Sequence, residues 1–155
     1  MHHLTPYTGA PVVVIGNGPV GETASLLLAR WGIPVIVLDR RPERDLRGSK
    51  AICQQRDVLD VWEAVGVGRQ LADEGVTWST ARTYYKDREL FSTTLADAGQ
   101  SGFPPFVNIS QSRTEEVLAG QMATNPLIEQ RWGHEVTTIS QDESGVRLTC
   151  STVNG

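Results

Sequence analysis

Val12-Val13-Val14-Ile15-Gly16-Asn17-Gly18-Pro19-Val20-Gly21 is the stretch that decides the fold. Residues 12–15 form an unbroken β-branched run, which predicts a strand buried on both faces of a parallel sheet. The run enters a G-x-G-x-x-G turn directly. Gly16 permits the tight turn off the strand, Gly18 lets a ligand come close to the backbone, and Gly21 lets the following helix pack tightly. Pro19 suits the first helical turn, where its missing N–H costs no helical hydrogen bond. Over 19–31 the pattern is helical. Ala24, Leu27, Leu28 and Trp31 fall at the spacing of one apolar stripe, predicted to face the sheet, and Gly32 ends the helix. Residues 34–38 predict a second buried strand, which closes on Asp39.

Strand, glycine turn, helix and strand make a βαβ unit. The helix start offers unpaired N–H groups and a partial positive charge to a diphosphate. Asp39 follows Gly21 at close to the spacing of about 20 residues expected for a carboxylate that binds ribose hydroxyls. The competing reading is a glycine-rich turn beside a solvated acid; the four features in order favour the dinucleotide. A carboxylate at that place repels a 2′-phosphate, so the expected ligand has a free adenosine ribose. FAD and NAD both satisfy this, and the motif alone does not choose between them.

Outward from this unit the chain continues as mixed structure. Residues 40–50 are a basic loop, with Arg40, Arg41, Arg44, Arg47 and Lys50 against Asp39, Glu43 and Asp45. A helix is predicted at about 55–65, with Val58, Leu59, Trp62 and Val65 on its apolar face and Gly66 as its stop. A short helix follows at 67–74. Residues 77–95 read as a β-hairpin with its tip at Lys86-Asp87-Arg88, and 96–105 as a loop. Residues 106–109 are a short strand, after which Ser110 or Ser112 caps a helix. Two strands are expected at 127–141 and 145–153, the second with Val146, Leu148 and Cys150 on its inner side. The sequence stops at Asn154-Gly155, a strong hairpin signal, from which a continuing sheet is expected. Residues 1–10 read as a leader and 11–155 as one incomplete domain.

Composition narrows the function classes. The net charge is −4, which gives no general support for a nucleic-acid or anionic-membrane partner. No apolar run approaches the ~20 residues of a membrane-spanning helix, and the N-terminus has no signal-peptide pattern. The two cysteines, Cys53 and Cys150, are far apart in sequence and read as reduced thiols, so a cytoplasmic setting is expected. No metal-ligand set is legible, and neither a Ser/His/Asp nor a Cys/His constellation can be assigned.

The stretch GNGPVGETASLLLARWGIPVIVLDRRP at 16–42 resembles the opening of the FAD-dependent aromatic-ring hydroxylases, which include para-hydroxybenzoate, phenol and 3-(3-hydroxyphenyl)propionate hydroxylases. The blocks at 48–68, 106–118 and 131–149 are similar to later segments of the same family, in the same order. The resemblance implies an α/β, Rossmann-like FAD-binding domain, its parallel sheet extended by β-hairpins and its C-terminal end truncated. It implies that Gly16, Gly18, Pro19, Val20 and Gly21 cradle the pyrophosphate, and that Asp39 binds the adenosine ribose with Arg40 beside the adenine. Lys50 would lie near the cofactor phosphates, where the family usually has arginine. Gln111 would contact the flavin side of FAD, and the Val136 backbone would meet the adenine.

Each of these positions has a plainer alternative. Lys50 and Arg47 fit a solvated basic loop, and Gln111 fits a helix cap. Arg56 reads better as a partner of Asp57, Asp60 or a loop acid than as a cofactor residue. Cys53, Trp62 and Trp132 read as packing residues, and His134 has no evident catalytic partner.

The resemblance further implies hydroxylation of a small phenolic substrate with NAD(P)H and O2, the hard chemistry being carried by the flavin, and it nominates no catalytic side chain here. The later family motifs are missing, so a further region or a second chain is expected to complete the fold. The alternatives are another FAD oxidoreductase, such as a flavin reductase, and a non-catalytic remnant that needs a partner.

Overall fold

The computed structural model describes residues 7–45, 52–95 and 101–152. In chain order the elements are β1 (Val12–Ile15), α1 (Pro19–Arg30), β2 (Val35–Asp39), β3 (Cys53–Gln55), α2 (Arg56–Ala64), α3 (Gly68–Glu74), β4 (Val76–Trp78), β5 (Thr80–Tyr85), β6 (Arg88–Thr94), β7 (Phe106–Asn108), α4 (Gln111–Ala123), β8 (Ile128–Trp132), β9 (His134–Asp142) and β10 (Gly145–Thr152). The chain divides into two compact units, one of Met1–Gly48 with Glu115–Gly155 and one of Ser49–Thr114.

The first unit holds the βαβ element. Its sheet runs β1-β2-β8, with β2 parallel to both neighbours and Asp39 in register with Trp132. A central strand with two neighbours and a helix against it is where β-branched residues are worth most, and Val35 and Val37 are fully buried, each contributing about 1.5–3 kcal/mol. Leu26 and Ala29 of α1, Leu38, and Val117, Leu118 and Met122 of α4 are buried in the same unit. Beyond β8, Gly133 adopts a φ of +68° and the chain turns into the antiparallel β9–β10 pair.

Three expectations change here. β1 pairs only with β2 among the described strands, and Val13 and Ile15 are 37% and 54% exposed, so it is not buried on both faces. The inner face of α1 is Glu22, Ser25, Leu26 and Ala29, not the predicted stripe, and Trp31 is exposed. Gly21 sets this rotation: a Cβ there would stand 1.9 Å from the Gly16 carbonyl oxygen, so the helix turns its hydrogen-only side to the strand end. The strand expected at 127–141 is two strands broken at Gly133, because a residue at that φ cannot continue a pleat.

The second unit centres on the antiparallel sheet β3-β7-β4. Val107 in its middle strand is fully buried, as are Leu59 of α2 and Leu71 of α3. Gly68 brings α3 against α2, since a Cβ there would meet the Leu59 carbonyl oxygen at 2.4 Å. Trp62 and Val65 are buried as expected; Cys53 is exposed and so is not a packing residue. Arg56 Nε donates to the Phe103 carbonyl at 2.8 Å. The predicted hairpin is β5–β6, exposed along its whole length.

Ser110 caps α4, its hydroxyl accepting from the Arg113 N–H at 3.2 Å. On β10, Leu148 and Cys150 are half-buried, whereas Val146 is exposed. Residues 1–6 of the expected leader and the Asn154-Gly155 signal lie outside the described residues. No helix among the described residues is long and apolar enough to cross a membrane.

Candidate functional site

The site is built where β1 and β2 end side by side. The Gly16 N–H donates to the Leu38 carbonyl at 2.7 Å, which holds the two strand ends together, and its φ of +105° turns the chain away at a cost that only glycine avoids. Gly18 then starts α1 with an extended backbone (φ −114°) and no capping side chain. The first-turn N–H groups of a 12-residue helix are therefore available to an anion. A Cβ at Gly18 would meet nothing within 4 Å. Neither its backbone angles nor its neighbours require glycine at this place.

Asn17, between these two glycines, is buried and ties the turn to β2 and β8. Its N–H donates to Asp39 Oδ2 at 2.8 Å, and its side-chain Nδ2 donates to Gln130 Oε1 at 2.9 Å. Arg41 Nη2 donates to the Asn17 carbonyl at 3.0 Å. The Asn17 Oδ1 is buried with no hydrogen-bond partner.

Asp39 is only 7% exposed. Burial alone would raise its carboxyl, but the Arg41 guanidinium and the N–H groups of Asn17 and Arg41 outweigh it and hold the group at about 2. Arg41 also donates its N–H to Asp39 Oδ1 at 2.9 Å and its Nε to the same oxygen at 3.0 Å, and its Nη2 reaches Oδ2 at 2.9 Å. The same guanidinium lies 5.5 Å from the centre of the Trp132 ring.

A second cluster sits on the inner side of α1. Arg44 donates to Glu22 Oε1 at 2.5 Å and to Glu115 Oε2 at 3.4 Å. Glu22 is fully buried, and its Oε2 has no partner. Desolvation dominates there and lifts the Glu22 carboxyl to about 7, against the lowering effect of Arg44.

A cavity of about 520 Å³ opens beside the strand ends, lined by Ile15, Gly16, Leu38, Asp39, Arg40, Arg41, His134, Glu135 and Val136. This volume is in the range of small-molecule and cofactor pockets. It brings together four residues singled out in the sequence: Gly16, Asp39, Arg40 and Val136. Gly18, Pro19, Val20 and Gly21 form the adjoining helix start, where Val20 is 85% exposed. Gln111 begins α4 in the second unit. Lys50 and Arg47 lie outside the described residues.

Asn17, Arg41, His134 and Glu135 were not legible as site residues. The one available signal was Arg41, two residues after Asp39, close enough to fold back on its carboxylate. His134 Nδ1 lies 2.8 Å from the Trp132 carbonyl oxygen. Among the described residues, no group of three or more His, Cys, Asp and Glu side chains could hold a metal ion.

Glycine turn, uncapped helix, buried strand-end acid and side cavity fit the adenosine diphosphate portion of a dinucleotide. Comparison with known proteins gives the same family as the motifs. The chain is 27% identical over 139 residues to pentachlorophenol 4-monooxygenase of Sphingobium chlorophenolicum, covering 89% of this chain and 26% of that protein. It is 25% identical over 148 residues to para-nitrophenol 4-monooxygenase of Pseudomonas sp. (strain WBC-3), covering 93% and 36%. The crystal structure of p-nitrophenol 4-monooxygenase from Pseudomonas putida DLL-E4 superposes with a TM-score of 0.81 at 23% identity, covering 94% of this chain and 36% of that one. The chain thus spans about a quarter to a third of the length of these relatives. Residues 9–154 match the model of the FAD binding domain, and the chain belongs to that family.

Proposed function

We propose that this chain forms the adenosine-diphosphate side of an FAD site, in a flavin-dependent monooxygenase that hydroxylates a small phenolic ring with NAD(P)H and O2. The observation that carries the reading is the 2.8 Å bond from the Asn17 N–H to Asp39 Oδ2, which fixes the ribose acid against the diphosphate turn. The FAD would supply the redox chemistry. The chain's own residues bind and orient. The backbone around Gly18 and the α1 N-terminus receive the diphosphate, Asp39 receives ribose hydroxyls, and the cavity beside Arg40 and Val136 receives the adenine. The relatives' names support a phenolic substrate, since they act on pentachlorophenol and para-nitrophenol. A small aromatic substrate is thus the partner we propose, and a further region or second chain would complete the enzyme. A cytoplasmic setting is consistent with the free thiols of Cys53 and Cys150.

Titration calorimetry with FAD, repeated in the presence of saturating ADP, tests this. Competition between the two is expected, because both need the same turn and acid. FAD binding that ADP leaves unchanged would refute the assignment.

A further inference from the structure

The Asp39 carboxylate is saturated by protein donors. An ionised carboxylate offers about four lone-pair sites. Here Oδ1 accepts from the Arg41 N–H and Nε, and Oδ2 accepts from the Asn17 N–H and Arg41 Nη2. Two of these four donors are backbone groups held in place by the fold. The Arg41 backbone is anchored further, because its carbonyl accepts from the Gly133 N–H at 2.7 Å. The other two donors are the edge of the Arg41 guanidinium, one on each oxygen at 3.0 and 2.9 Å.

A vicinal ribose diol bound to a carboxylate also places one donor on each oxygen. It therefore needs the two positions that the guanidinium fills. From this we propose that Arg41 is an internal competitor for the ribose seat: its side chain must leave Asp39 before a nucleotide diol can bind, and it thereby sets the affinity and diol selectivity of the site. The proposal rests on the reading of Asp39 as the ribose acid.

The geometry makes the exchange feasible. The Arg41 side chain is 35% exposed whereas that of Asp39 is 8% exposed, so the guanidinium can move into water while the acid stays fixed. The two backbone donors remain, one per oxygen, and aim the carboxylate at the incoming hydroxyls. Trp132 lies across the guanidinium, and Asn17 offers it a carbonyl. Both contacts favour the seated position, so the site opens only in the fraction of molecules where Arg41 has swung out. A binding-competent fraction of about a tenth to a third would weaken the apparent affinity by about three- to tenfold.

The test is calorimetric binding of ADP and of 2′,3′-dideoxy-ADP to the 155-residue chain and to R41Q, R41M and D39N. Each variant is first checked for cooperative thermal unfolding. Two Arg41 variants are used so that misfolding of one leaves the other to decide. Removing the fork is expected to tighten ADP about three- to tenfold and to leave dideoxy-ADP unchanged, while D39N weakens ADP towards the dideoxy value. Equal or weaker ADP binding by folded R41Q and R41M would overturn the proposal, because Arg41 would then be a bystander or a direct contact. ADP binding insensitive both to D39N and to loss of the diol would instead remove the ribose reading, and this proposal with it.

Discussion

Glu22→Gln removes one ionisable group from the inside of the first unit while keeping its shape. Glu22 is fully buried on the inner face of α1. Its Oε1 accepts from Arg44, and its Oε2 has no partner, so a proton on Oε2 relieves the charge without breaking the Arg44 bond. Burial raises this carboxyl from 4.5 to about 7, with Glu115 adding to the rise and Arg44 and Arg41 opposing it. The sign follows from proton counts. Between the ordinary value and the raised one, the folded chain holds a proton that the unfolded chain has lost, so stability falls as pH rises through this window.

At 1.36 kcal/mol per unit, the full effect is about 3 kcal/mol. It is nearly absent at pH 4.5 and nearly complete at pH 8. Urea unfolding followed by circular dichroism, at pH 5, 6, 7 and 8, reads it as the difference between the wild-type chain and Glu22→Gln, in which all other titrations cancel. Relative to wild type, the glutamine variant should gain about 2.5 kcal/mol between the ends of the series, since part of the effect is already present at pH 5. Parallel stability curves, or a wild type that gains on Glu22→Gln with rising pH, would refute the reasoning.

Other perturbations have equally specific outcomes. Asp39 has the opposite sign, since its folded value of about 2 lies below the ordinary 3.8. Its advantage over Asp39→Asn, about 2 kcal/mol, should be complete at pH 5 and lost as pH falls towards 2 in the same unfolding assay. Gly21→Ala places a methyl 1.9 Å from the Gly16 carbonyl oxygen, so either strand end or helix must shift. A loss of about 3 kcal/mol or more is expected, and a melting temperature equal to wild type would contradict the packing described.

The βαβ unit was legible because its signals are local: two β-branched runs, glycines at fixed intervals and an acid at a strand end. The face of α1 was not. Apolar periodicity selected Ala24, Leu27, Leu28 and Trp31, whereas the helix is oriented by a backbone approach at Gly21 and buries Glu22 beside Arg44. A charge placed on an inner face by a partner more than twenty residues on defeats a hydrophobicity pattern. β3, three residues of Cys-Gln-Gln, carries no strand signal and exists because β7 pairs with it. In the site, the glycines and Asp39 were visible for the same local reason. His134 and Glu135 were not, since they reach the cavity only through the register that sets Trp132 beside Asp39.

The central claim is that a diphosphate lies against the backbone at Gly18, and Gly18→Ala tests it most directly. The protein leaves that Cβ position open to 4 Å, at backbone angles any residue adopts, so the fold should tolerate the methyl, losing about 1 kcal/mol from the poorer N-cap. Calorimetry should then show ADP binding weakened by about tenfold or more, equivalent to about 1.4 kcal/mol, in a chain that still unfolds cooperatively. ADP affinity unchanged in folded Gly18→Ala would contradict the account.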